Sequence, residues 1–153
     1  MQDGQTAEID PFNLQRFLDA QNSHFDNERS YYGEACSELK EGSKREHWMW
    51  FIFPQIEGLG YSAMASKFAI SSRAEAQAYL NHLILGPRLR RCIELVNLVK
   101  ERSIDEIFGY PDNLKFHASV TLFSRVANDN QVFLDALNKY FGGKLHGLTL
   151  EHL

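Results

Sequence analysis

Three clusters of side chains have the types and spacing for chemistry, and each would serve an anion. The first surrounds the run His47-Trp48-Met49-Trp50-Phe51-Ile52-Phe53-Pro54-Gln55, which holds both tryptophans of the chain. Trp50 or Trp48 could stack on a planar ligand while Lys44 and His47 meet its charge and Gln55 closes the far rim. Basic residues in the first turn of a helix oppose its macrodipole, which hints at a local anion. The competing account is a packed core segment with a solvated basic end and a Gln55 that bonds only the neighbouring chain. The second cluster is Gly58-Leu59-Gly60-Tyr61-Ser62. Two glycines ahead of a helix start can present backbone N–H groups to a phosphate or carboxylate. A tight turn with Ser62 as N-cap explains the same residues. The third is Arg88-Leu89-Arg90-Arg91, a basic helix start able to clamp a phosphate or a partner's carboxylates. Ion pairs with Glu94 and other acidic side chains would account for it equally.

Other chemistry finds little support. The six histidines show no i, i+4 pairing, so no metal site is expected, and no cofactor motif of the phosphate-loop, dinucleotide or zinc-protease type occurs. No serine or cysteine has a base near it in sequence, which leaves His47 as the one acid–base candidate. Cys36 and Cys92 lack CxxC spacing and fall on apolar helix faces, so buried free thiols are expected rather than a disulfide.

These groups need elements to hold them, and the text reads as successive short helices. Asp10-Pro11 pairs an N-cap with a proline at the first helical position. Leu14, Phe17, Leu18, Gln21 and Phe25 then keep the 3.6-residue period. A helix is expected from about Asn27 to Glu41, stopped by Gly42. Ser43 to Glu46, Ser72 to Glu75 and Ser103 to Glu106 each fit a capping box. The first box, with Pro54 behind, predicts that the aromatic run is a central helix covered on every side. Further helices are expected after Ser72, after Gly86-Pro87, across Phe116, Val120 and Phe123, and from Asn130 to Phe141. No hairpin signals join alternating runs, so no sheet is expected. The fold class is all-α: a single compact multihelical domain of about seven to eight short helices over residues 10–153, behind a disordered tail at residues 1–9.

The composition fits one domain. At 153 residues the chain can bury roughly 70% of its unfolded surface. A net charge of −4 opposes nucleic-acid binding, so any anion site must be local. The longest apolar stretch, Trp48 to Phe53, is far short of the ~20 residues that span a bilayer. The N-terminus has no signal-peptide pattern, and a cytoplasmic location is expected.

The strings EGSKREHWMWFIFPQIEGLGYSAMASKFAISS, EAQAYLNHLILGPRLRRC and IFGYPDNLKFHASVTLF resemble the bacterial domain-of-unknown-function family numbered 1810, over roughly residues 12–150. The resemblance implies a mainly helical single domain and no established activity. By motif position it carries over Lys44, His47, Gln55, Gly58, Gly60, Ser62, Arg88, Asp112, Lys115, Ser119 and Thr121 as polar candidates. Three positions depart from the usual pattern: Leu83 in place of a proline, His117-Ala118 in place of Arg-Ser, and His146 in place of an aspartate. Two functions follow as expectations. One is a binding domain or enzyme for a small anionic, nucleotide-like ligand, with Lys44, His47, Trp50, Gln55, Gly58, Gly60, Ser62, Arg88 and Lys115 at the site. The other is a structural or protein-interaction helical module without catalytic activity. No membrane partner is expected.

Overall fold

A computed structural model describes residues 9–153. The expected disordered tail falls, but for Ile9, outside the described residues. Ten helices make up the described chain, against the seven to eight expected, and no strand occurs among the described residues. The order is α1 (Gln15–Asn22), α2 (Tyr31–Glu41), α3 (Met49–Ile52), α4 (Ala63–Lys67), α5 (Arg73–Asn81), α6 (Leu85–Leu98), α7 (Ile104–Phe108), α8 (Asp112–Ser124), α9 (Gln131–Phe141) and α10 (Gly147–His152). One hydrophobic cluster runs through them from Leu14 to Leu137. None of these helices is long and apolar enough to cross a membrane.

The caps explain most of the boundaries. Asp10 accepts the amides of Leu14 and Gln15 at 2.8 and 3.0 Å, although regular α-helix starts only at Gln15. Ser30 opens α2 and Gly42, at φ +76°, closes it in the left-handed conformation a glycine adopts without strain. Ser103 and Glu106 form the complete capping box expected of them. Ser72 caps α5 through the Glu75 amide. The Glu75 carboxylate turns instead to the Ser71 amide and to Arg16 of α1, both at 2.8 Å.

The box at Ser43 does not form, and of the central helix it predicted only the four residues Met49–Ile52 are helical. The Glu46 amide donates to Glu38 on α2, and the Lys44 amide to the Ile107 carbonyl of α7. Helix starts only at Met49, behind Trp48, and Phe53 ends it before Pro54 after four residues. Tertiary partners for the amides of residues 44–46 win over the local cap, so the run crosses the core with a single helical turn. The helix covered on all sides is α8, whose residues Ala118 to Ser124 are buried without interruption. It packs on α5, α7, α9 and α10. The tenth helix, α10, had no signal in the usual capping residues, because the imidazole of His146 opens it by accepting the Thr149 amide.

Candidate functional site

The aromatic run divides between core and surface. Trp48, Met49, Phe51, Ile52 and Phe53 are buried, whereas Trp50 is half-buried and His47 exposed. Phe53 meets Phe116 edge-on with ring centroids 5.0 Å apart, and Phe51 packs on Phe68. These contacts hold Trp50 outward on a rigid base.

Trp50 lines a cleft together with Gln55, Ile56, Gly58, Gly60 and Phe68. A pair of bonds flanking the Ile56–Ile70 bridge builds its floor: Ile70 donates to the Gln55 carbonyl and Glu57 to the Ile70 carbonyl, each at 2.8 Å. The Gln55 side-chain amide makes no hydrogen bond among the described residues, and neither do the backbone amides of Gly58, Leu59 and Gly60. Ser62 stands apart as the N-cap of α4, accepting the Ala65 amide at 3.1 Å. The enclosed space is about 20 Å³, room for about one water. An aromatic base does not fit inside it. Against Gly58 lies the His152 ring of α10, so close that a Cβ there would stand 2.6 Å from its Cδ2.

Two lysines border this region. The Lys115 ammonium of α8 sits 5.1 Å from the centre of the Trp50 ring, and Lys44 stands at the same distance over Trp48. Asp112 joins them, 2.8 Å from Lys44 and 3.6 Å from Lys115. Lys44 also donates to the Glu46 carbonyl at 2.6 Å and is nearly buried. It lies in no helix, so the local anion its position called for is the chain's own Asp112. Lys115 keeps the freer ammonium.

The remaining candidates lie elsewhere. Arg88 donates to Gln21 and Asn22 at 3.1 and 2.9 Å and covers the Tyr32 ring, and it is no part of the Trp50 cleft. Gln21 in turn donates to the Phe51 carbonyl at 2.8 Å, so Arg88 braces the aromatic run from beneath. Arg90 reaches the Asp129 carbonyl and Arg91 pairs with Glu94, so the three arginines splay to separate partners. His47 makes no hydrogen bond among the described residues. Thr121 accepts the His146 amide at 2.9 Å, and Ser119 is buried with its hydroxyl unpartnered among the described residues. Two of the three departures from the family pattern touch: the His117 and His146 rings meet edge-on at 5.3 Å. Burial lowers the pKa of both, and at His146 the neighbouring His117 lowers it further.

The sequence reading missed Glu38, which is fully buried. One of its oxygens accepts the Arg45 amide at 2.6 Å, the Glu46 amide at 3.0 Å and the Trp48 indole at 3.0 Å. Its second oxygen faces Glu34, one turn back on α2. That oxygen is buried without a hydrogen-bond partner among the described residues, and its proximity together with burial raises the pKa of Glu34. The available signal was the i, i+4 acidic pair beside Ala35 and Leu39 on an apolar helix face.

A family model described as Protein of unknown function (DUF1810) matches residues 11–153. The chain is also similar to a crystal structure of the conserved hypothetical protein Rv1873 from Mycobacterium tuberculosis. That comparison has 51% identity, a TM-score of 0.88, and covers 94% of this chain and 98% of that one. No curated protein matches the chain.

Proposed function

The chain belongs to the DUF1810 family of proteins of unknown function, and within that family we propose that it is a binding domain for a small anion held at the mouth of the Trp50 cleft. One observation carries this reading: the Lys115 ammonium stands over the half-buried Trp50 face, whose cleft is also lined by Gln55 and by Gly58 to Gly60, where the Gln55 side chain and the three backbone amides have no hydrogen-bond partner among the described residues. A carboxylate or phosphate head would meet Lys115 by charge and the glycine amides by hydrogen bonds. The narrow cleft favours the head group alone over a whole nucleotide. Ser62 takes part by fixing α4 behind the glycine turn, and Arg88 by bracing Phe51. Among the described residues no base, nucleophile and orienting group converge at the cleft, so binding is what we propose. A cytoplasmic location suits the two free thiols.

Thermal unfolding in the presence of inorganic phosphate, acetate or a nucleoside monophosphate tests the reading. A bound anion at a hundredfold excess over Kd should raise Tm by about 8 °C, and Lys115→Gln should abolish most of that rise. A Tm unmoved by every anion, or moved equally in Lys115→Gln, would overturn it. Those results would favour a structural or interaction module, for which Asp112 speaks by already pairing with both lysines.

A further inference from the structure

Charge, room and lining at the Trp50 cleft discriminate between a carboxylate and a phosphate. Lys44 and Lys115 share the single carboxylate of Asp112, at 2.8 and 3.6 Å, which leaves one positive charge for a ligand. Glu57, exposed and next in the chain to Gly58, has no ion pair among the described residues, so its charge stays uncancelled. A carboxylate brings one negative charge to this setting. A phosphate monoester brings roughly 1.5 to 2 at neutral pH and is repelled by Asp112 and Glu57 in proportion.

The enclosed space of about 20 Å³ has room for about one water-sized group. One oxygen of a planar carboxylate matches it and leaves the other for Lys115. A phosphate monoester spreads its charge over three oxygens, more than this space takes. Trp50, Ile56, Leu59 and Phe68 line the same cleft, an apolar wall for whatever stem carries the head group. Beside them the half-buried Gln55 side chain has no hydrogen-bond partner among the described residues. A primary amide offers both donor and acceptor. A peptide group pairs with it, and a plain hydrocarbon stem does not.

On the reading of the Trp50 cleft as an anion site, we propose that its ligand is the C-terminal residue of a peptide chain. Lys115 and the Gly58 to Gly60 amides hold the terminal carboxylate, Gln55 pairs with the last peptide group, and an apolar side chain lies against Trp50. Backbone N–H groups of a turn are a recurrent means of capturing a chain terminus.

The test titrates the full chain with small probes and follows the Gly58, Leu59 and Gly60 amides and the Gln55 side-chain amide by nitrogen–proton correlation spectroscopy. N-acetyl-L-leucine should shift these resonances saturably. Its uncharged analogue, N-acetyl-L-leucinamide, should bind roughly tenfold or more weakly, having lost a charge-assisted contact. Hexanoate, with the charge but no peptide group, should bind less tightly and leave the Gln55 resonance in place. Inorganic phosphate should bind less tightly than N-acetyl-L-leucine at equal ionic strength, and Lys115→Gln should weaken N-acetyl-L-leucine by roughly tenfold. Tighter, Lys115-dependent binding of phosphate overturns the peptide ligand and leaves the anion site standing. Binding of hexanoate or N-acetyl-L-leucinamide as tight as that of N-acetyl-L-leucine also overturns the peptide ligand. If no probe moves these resonances, the peptide ligand and the anion site fall together. The comparison of probes is made on the wild type, so it decides the matter even if Lys115→Gln does not fold.

Discussion

At Glu38 a single carboxylate oxygen receives two backbone amides and the Trp48 indole, so an α2 side chain dictates the path of residues 45–48. Glu38→Ala strands the buried Trp48 indole and two part-buried amides and should cost about 3 kcal/mol in chemical denaturation. Exposed Glu41→Ala, which breaks only the surface pair with Arg45, should cost under about 1 kcal/mol. The pH response has two opposed parts. Burial alone would raise the Glu38 pKa, but the nearness of Glu34 and the bonds from Arg45, Glu46 and Trp48 together bring it below its ordinary value. Its stabilisation is thus present above the unfolded pKa and lost as pH falls through the folded one. Glu34 is raised by its nearness to Glu38 and by burial, so its contribution is lost as pH rises through its folded pKa. At this scale the sequence was legible in types and not in partners. Lys44, Trp50, Gln55 and Lys115 do gather in one region, yet no spacing rule foretold that Asp112 lies between the lysines.

Among the elements, the start of α6 depends on one missing side chain. A Cβ at Gly86 would drive into the Leu80 carbonyl at the end of α5, and backbone on both sides leaves nothing flexible to yield. The glycine therefore serves close approach of two helices, where the sequence suggested only a stop and a start. Gly86→Ala should lower stability by about 2 kcal/mol or more, read as Tm. Gly147→Ala, with open space around its Cβ, should leave Tm nearly unchanged. The caps at Ser72 and Ser103 could be read ahead because they satisfy amides of their own helix, whereas α2 starts behind Ser30 and not at the expected Asn27. Ser43 could not, since the amides that its box would serve belong to α2 and α7 contacts made across the fold. Periodicity likewise identified the long helices and said little of four- to six-residue ones such as α3 and α10.

For the whole molecule, one continuous core joins α1 to α9, and the last helix docks on it through polar contacts. His146 donates its amide to Thr121 and opens α10, while His117 stacks on Phe141 at 3.8 Å and bonds the Lys144 carbonyl at 2.8 Å. Burial lowers both histidines below the ordinary imidazole value of 6.5, and their proximity adds to this at His146. Their stabilisation is complete above that value and is lost as pH falls through the folded pKa values. Amide exchange in α10 should accelerate on acidification through this range, and His117→Phe should blunt the effect; equal acceleration in both proteins would sink the idea. The all-helical class was legible because apolar residues recur at helical spacing almost throughout. The cleft was not, since it assembles residues from distant segments. The contact between Gly58 and His152 then supplies a native spectroscopic probe. An aromatic ring pressed against a glycine shifts that glycine's α-proton resonances by its ring current. Gly58 therefore reports, without any label, whether the last turn of the chain is seated beside the Trp50 cleft.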